Sequence, residues 1–123
     1  MPKSAMSRVS TVSMTGDDLL RVLGTLANPH RLRVVAALAQ ERNYVSQLAR
    51  ELGISRALLQ VHLRKLEAAG LVSADIEVSA DGKAMKFYEV TAFAVLLTPE
   101  VIEAAARTLT AGADLPTSPA RRR

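Results

Sequence analysis

The run Val45-Ser46-Gln47-Leu48-Ala49-Arg50-Glu51-Leu52-Gly53-Ile54-Ser55-Arg56-Ala57-Leu58-Leu59-Gln60-Val61-His62-Leu63-Arg64-Lys65-Leu66, closed by Glu67-Ala68-Ala69-Gly70-Leu71-Val72, decides how the chain folds. Leu48, Ala49 and Leu52 recur at helical spacing, and Leu59, Leu63 and Leu66 do so again. Ser46 and Ser55 each precede one of these stripes and are expected as N-caps, because a serine oxygen accepts from the free amides of a helix's first turn. Gly53 between them can take the left-handed conformation that closes a short helix. Two helices joined by a tight, glycine-containing turn make a helix-turn-helix. Arg56, Gln60, Arg64 and Lys65 lie off the leucine stripe, and no acid interrupts Ile54 to Leu66. An outward face of that kind suits a DNA major groove.

Leu52-Gly53-Ile54-Ser55, followed by His62-Leu63, Leu66 and Gly70-Leu71-Val72, resembles the winged helix-turn-helix of the arsenic-repressor-like (ArsR) family of bacterial transcriptional regulators. Upstream, Leu26-Ala27-Asn28-Pro29-His30-Arg31-Leu32-Arg33 resembles the segment that opens the second helix in that family. The resemblance covers roughly residues 17 to 91. It implies a mainly α fold with a small antiparallel β-hairpin, the winged helix-turn-helix, working as a homodimer. The best-known members sense metals through cysteines near the first helix of the motif, and Tyr44 to Leu48 contain none. Other members use Asp and His on the last helix, where this chain has Glu100 and Glu103 without a histidine. No metal site and no cofactor are therefore expected.

At 123 residues the chain suits one domain with a modest core. No apolar run approaches a membrane span, and the N-terminus lacks a charged-then-apolar signal pattern, so a cytoplasmic protein is expected. Cysteine is absent, which excludes disulfides, thiolate metal sites and cysteine nucleophiles. The formal net charge is +4, but Lys3, Arg8 and Arg121 to Arg123 supply five positive charges, which leaves −1 for residues 9 to 120. Affinity for nucleic acid must then come from a local patch together with the tails.

Residues 1 to 15 hold six Ser or Thr without an apolar pattern and read as a disordered tail. Residues 16 to 110 read as the folded DNA-binding and dimerisation domain, and 111 to 123 as a flexible basic tail. Thr15-Gly16-Asp17-Asp18 opens a helix carrying Leu19, Leu20, Val22, Leu23 and Leu26. Asn28 caps the next helix with Pro29 at its first position, and Leu32, Val35, Leu38 and Ala39 form its expected buried stripe. Glu41 to Tyr44 read as a connector with room for a very short strand. Val72, Ala74, Ile76 and Val78 alternate with polar residues as in a half-buried strand. A three-residue Ala80-Asp81-Gly82 loop places Tyr88 and Val90 on the face of Ala74 and Val72, whereas a two-residue Asp-Gly turn favours Phe87. The first register is preferred. Ala92 to Leu97 extend the strand or begin a helix. Thr98-Pro99-Glu100 starts the last helix, expected to run to about Thr110.

Arg56, Gln60 and Arg64 are the candidate base readers, since arginine pairs bidentately with guanine and glutamine with adenine. Ala57 and Val61 share their face and suit a thymine methyl. Lys65 and the wing residues Lys83 and Lys86 suit phosphates, as do Ser46 and Gln47, with Ser55 at the motif's second cap. His62 matches the histidine of the resembled family and is read as a packed or phosphate-facing residue, not a metal ligand. His30 is expected at the surface. Leu19, Leu20, Val22, Leu23, Val101, Ile102, Ala105 and Leu109 exceed what a small domain buries against itself, so the terminal helices are expected to form a two-fold dimer.

These features point to a sequence-specific DNA-binding regulator, a repressor acting as a homodimer on a palindromic operator. The alternative is a winged-helix protein-interaction module without specific DNA binding, favoured by the near-neutral central region and by Leu58 and Val61 beside the reading face. No phosphate-binding glycine loop or Ser/His/Asp arrangement suggests an enzyme. Whether a small-molecule effector exists is open at this level.

Overall fold

The computed structural model describes residues 14–110. Both expected tails lie outside these residues, except that Met14 packs on the core and Thr15 caps the first helix. The elements are α1 (Gly16–Leu26), α2 (Pro29–Gln40), β1 (Asn43–Tyr44), α3 (Val45–Leu52), α4 (Arg56–Ala68), β2 (Val72–Val78), β3 (Ala84–Val90) and α5 (Pro99–Ala106). Thr15, Asn28, Ser55 and Thr98 each accept from an amide of the helix they precede. Ser46 does not. The helix α3 begins two residues earlier than a Ser46 cap would set it, because Asn43 and Tyr44 pair with Tyr88 and Phe87 of β3 and the chain passes straight from strand to helix. Tyr44 occupies the cap position without a side-chain bond.

Leu48, Leu59, Leu63, Leu66 and Val34 are the fully buried centre, each worth on the order of 2 kcal/mol of apolar burial. On α2 the buried positions are Val34 and Leu38, with Val35 and Ala37 half-covered. The expected stripe is therefore rotated: Leu32 is 53% exposed and Ala39 is also exposed. The reason is Arg31, which takes the inward position one turn before Val34. Its Nε donates to His62 Nδ1 at 3.1 Å and its Nη1 to the Thr25 carbonyl at 3.2 Å.

The sheet order is β1-β3-β2, all antiparallel. Ala74 faces Tyr88 and Val72 faces Val90, the register set by the three-residue loop. Gly82 sits at φ +85, and its amide donates to the Ser79 carbonyl. The half-buried alternation fades along β2, since Ile76 and Val78 project beyond the core and are exposed. Arg42 anchors this outer part by a paired bond to Glu77 at 2.6 and 2.9 Å while lying 4.3 Å over the Phe87 ring.

Residues 91–98 form neither strand nor helix; Phe93 and Val95 lean on the core without a strand partner for the backbone. The last helix ends at Ala106, short of Thr110, because α1 captures Thr108 and Thr110. Gly16 N–H donates to Thr108 Oγ1 at 2.6 Å, and Thr110 N–H donates to Asp17 at 2.9 Å. Gly16 makes this approach possible. A Cβ there would fall inside contact distance of the Ala105 carbonyl oxygen and 2.8 Å from Leu109 Cγ.

His62 is 5% exposed, and its ring stacks on His30 with centroids 5.4 Å apart. His30 is thus half-buried against its neighbour, not simply a surface residue. Accepting from Arg31 at Nδ1 requires the His62 proton on Nε2, which has no hydrogen-bond partner among the described residues. Burial, then the charges of Arg31, His30 and Lys65, push its pKa below the ordinary 6.5.

This packing can be tested at two points. Gly16→Ala should pry α1 from α5 and cost about 1–3 kcal/mol, read as a lower denaturant midpoint; an unchanged midpoint would contradict the close contact. His62 binds its proton more readily in the unfolded chain than in the fold. Its contribution is therefore complete above pH 6.5 and is lost as pH falls toward the lower folded value. Chemical denaturation between pH 8 and 5 should show this loss, and His62→Gln, which keeps an acceptor but does not titrate, should flatten the profile. An equally steep decline in the variant would assign the effect elsewhere.

Candidate nucleic-acid interface

The site is built from the turn between α3 and α4. Gly53 at φ +70 ends α3, and Ile54 N–H returns to the Ala49 carbonyl at 3.1 Å. Only glycine adopts that conformation readily, so the turn closes within a few residues. Ser55 Oγ then accepts from Leu58 N–H at 3.0 Å and fixes the start of α4. The leucine stripe faces inward, and the opposite side carries Arg56, Ala57, Gln60, Val61, Arg64 and Lys65, all exposed. Arg56, Gln60 and Arg64 are spaced at i, i+4, i+8, so they form a row along one side of the helix. None of these cations is ion-paired, since the described ion pairs are Arg42 with Glu77 and Arg107 with Glu103.

His62 does not belong to this face. It lies beneath α4 as the acceptor for Arg31 and is withdrawn from the set of DNA-contacting candidates. Ser46 and Gln47 lie in the first turn of α3, half-buried, with Gln47 Nε2 turned onto Glu51 at 3.1 Å. Ser55 is exposed but committed to its cap. Lys83 and Lys86 are exposed on the wing, Lys86 Nζ lying 5.4 Å from the Tyr88 ring centre. Asp81 shares the tip with Lys83; bonds from Ser79 Oγ and from the Lys83 amide hold its carboxyl below the ordinary range. Residues 72–90 carry Asp75, Glu77, Asp81 and Glu89 against these two lysines, so the wing is not a strongly basic clamp.

Three supporting residues were missed by sequence reasoning. Arg31 ties α2 to α4, Arg42 ties the connector to the wing, and Asn43 is buried with its Oδ1 accepting from Tyr44 N–H at 2.9 Å. Arg31 alone had a legible signal, standing three residues before Val34 and seven before Leu38.

The terminal helices divide the expected dimer residues. Leu19 and Ala105 are buried where α5 packs on α1, Val22 is buried in the main core with Val34 and Leu38, and all three are corrected to core positions. Val101 is half-buried. Leu20, Leu23, Ile102 and Leu109 remain exposed along a groove between the two helices, lined by no charged side chain.

No helix among the described residues is long and apolar enough to cross a membrane, and no three His, Asp or Glu side chains there group as metal ligands would. Comparison with known proteins accords with the geometry. The profile of bacterial regulatory proteins of the arsR family matches residues 28–74. The uncharacterized HTH-type transcriptional regulator MJ0229 of Methanocaldococcus jannaschii is 33% identical over 86 residues, covering 70% of this chain and 90% of that protein. The regulator CmtR of Mycobacterium tuberculosis is 39% identical over 67 residues, 54% of this chain and 57% of its own. In fold, the chain is similar to the homodimeric winged helix-turn-helix domain of Mb0332 from Mycobacterium bovis, with a TM-score of 0.55 at 24% identity over 86% of this chain and 80% of that one. A capped helix-turn-helix with an acid-free outer row, a three-stranded wing and these relatives lead to one assignment: the chain is a winged helix-turn-helix transcriptional regulator of the ArsR family.

Proposed function

We propose that the protein is a repressor that binds a palindromic operator as a homodimer, each copy placing α4 in a major groove. The observation that carries the reading is the unpaired, acid-free row Arg56, Gln60 and Arg64 on a helix whose other side is locked in the core. The reading treats the chain as a non-enzymatic regulator that needs no metal. Repression would be by occupancy of the operator. The second reading, a protein-interaction module, draws on the acidic wing and on Leu58 and Val61, which are 39% and 38% exposed beside the row.

Dimerisation is supported by the exposed Leu20, Leu23, Ile102 and Leu109, which make one apolar strip on the paired terminal helices. Leu23→Glu should yield a folded monomer by sedimentation and lose high-affinity operator binding. A dimer that survives this substitution would place the interface elsewhere.

Gln60→Ala should cost about 1–3 kcal/mol on the preferred DNA sequence and relax selection at one base position. Lys83→Ala should weaken all sequences alike and lower the salt slope by about 1. Titrations against single-base variants at several salt concentrations measure both. If Gln60→Ala weakens every sequence equally while Lys83→Ala changes base preference, the reader and the phosphate contact are reversed.

A further inference from the structure

Between α1, α2 and the last turn of α4 lies an open cleft of about 360 Å³ that DNA reading does not use. Arg21, Arg31 and Lys65 line it, and no acidic side chain does. None of the three is ion-paired among the described residues. Arg31 is half-buried and held in place through His62 and the Thr25 carbonyl, so the cleft has a fixed guanidinium in its wall. Leu20 and Ala68 add apolar surface, and Gly24 leaves the wall open: a Cβ there would meet nothing within 4 Å. Beside the cleft, burial first and then the charges of Arg31, His30 and Lys65 lower the pKa of His62.

We infer that this cleft binds a small organic anion, a carboxylate or phosphate on a compact apolar body, and that its occupancy weakens DNA binding. Guanidinium groups recognise such heads through paired bonds, and an uncompensated, partly buried cation gains most from them. The DNA backbone is the less suitable occupant. Lys65 stands nine residues beyond Arg56, about 14 Å along the helix, whereas recognition helices enter the groove by their amino ends. An anion held beside Lys65 lowers the positive potential of α4, which attracts DNA at longer range than a direct contact does. This regulatory part rests on the DNA-binding reading; the binding part does not.

The test titrates the full chain with benzoate and phenyl phosphate, with benzyl alcohol as the uncharged control, following backbone amides by NMR. Saturable shifts are expected at Gly24, Thr25 and Ala68, with benzyl alcohol far weaker. Gly24→Phe should abolish them, since its ring fills the cleft without entering the core, and Arg21→Gln should weaken them about tenfold. Equal binding of benzyl alcohol, unsaturable shifts spread over the cationic surface, or full binding by Gly24→Phe would overturn the site. In a second arm, either anion should lower affinity for operator DNA in the wild type and not in Gly24→Phe. If Gly24→Phe alone weakens DNA binding and DNA itself shifts the same three amides, the cleft is a backbone contact and the proposal fails. A chain that binds no DNA leaves the NMR arm decisive for the cleft.

Discussion

The recognition helix α4 is held by one constraint on which the rest of the structure depends. Leu59, Leu63 and Leu66 are fully buried in a core completed by α2, α3 and the base of the wing. A helix fixed along its whole inner side cannot rotate without emptying that core, so Arg56, Gln60 and Arg64 are presented in a constant direction. Packed interiors resist such shifts because even one displaced methylene group is felt. Arg31 adds a directional brace, reaching from α2 to His62 on the same helix. Base readout demands this rigidity, since bidentate bonds tolerate little misplacement.

The terminal helices answer a different requirement. The helix α5 is short, and its end is taken up by α1 through Gly16 and Asp17. Closing that contact consumes Leu19 and Ala105 but leaves Leu20, Leu23, Ile102 and Leu109 in the open. The pair is thus a cover for the domain and, in the proposed dimer, the surface for a second copy. Because α1 also walls the cationic cleft beside Lys65, the apolar groove, that cleft and the reading helix meet on neighbouring turns.

Much of this was legible in the chain because local chemistry and tertiary packing agree there. Thr15, Asn28, Ser55 and Thr98 are caps in sequence and in structure, and Gly53 and Gly82 take the positive φ their turns require. The wing register came from loop length alone. Ser46 misled because β1 pairing, a long-range contact invisible to a cap rule, starts α3 at Val45. The stripe of α2 was misplaced because a rule based on apolar residues does not admit Arg31 as an inward position. For His62 the packed and the phosphate-facing readings stayed open in sequence, and Arg31 is the partner that decides for packing. Of the candidate dimer residues, periodicity identified an apolar set but not which members α1 and α5 bury against each other.

The most direct measurement is selection of bound fragments from a random DNA pool by the purified protein, with sequencing of the retained pool. A dimer presenting α4 twice predicts a two-fold symmetric motif with half-sites about one helical turn apart. Enrichment of a single unrepeated half-site, or retention without any sequence preference, would contradict the account.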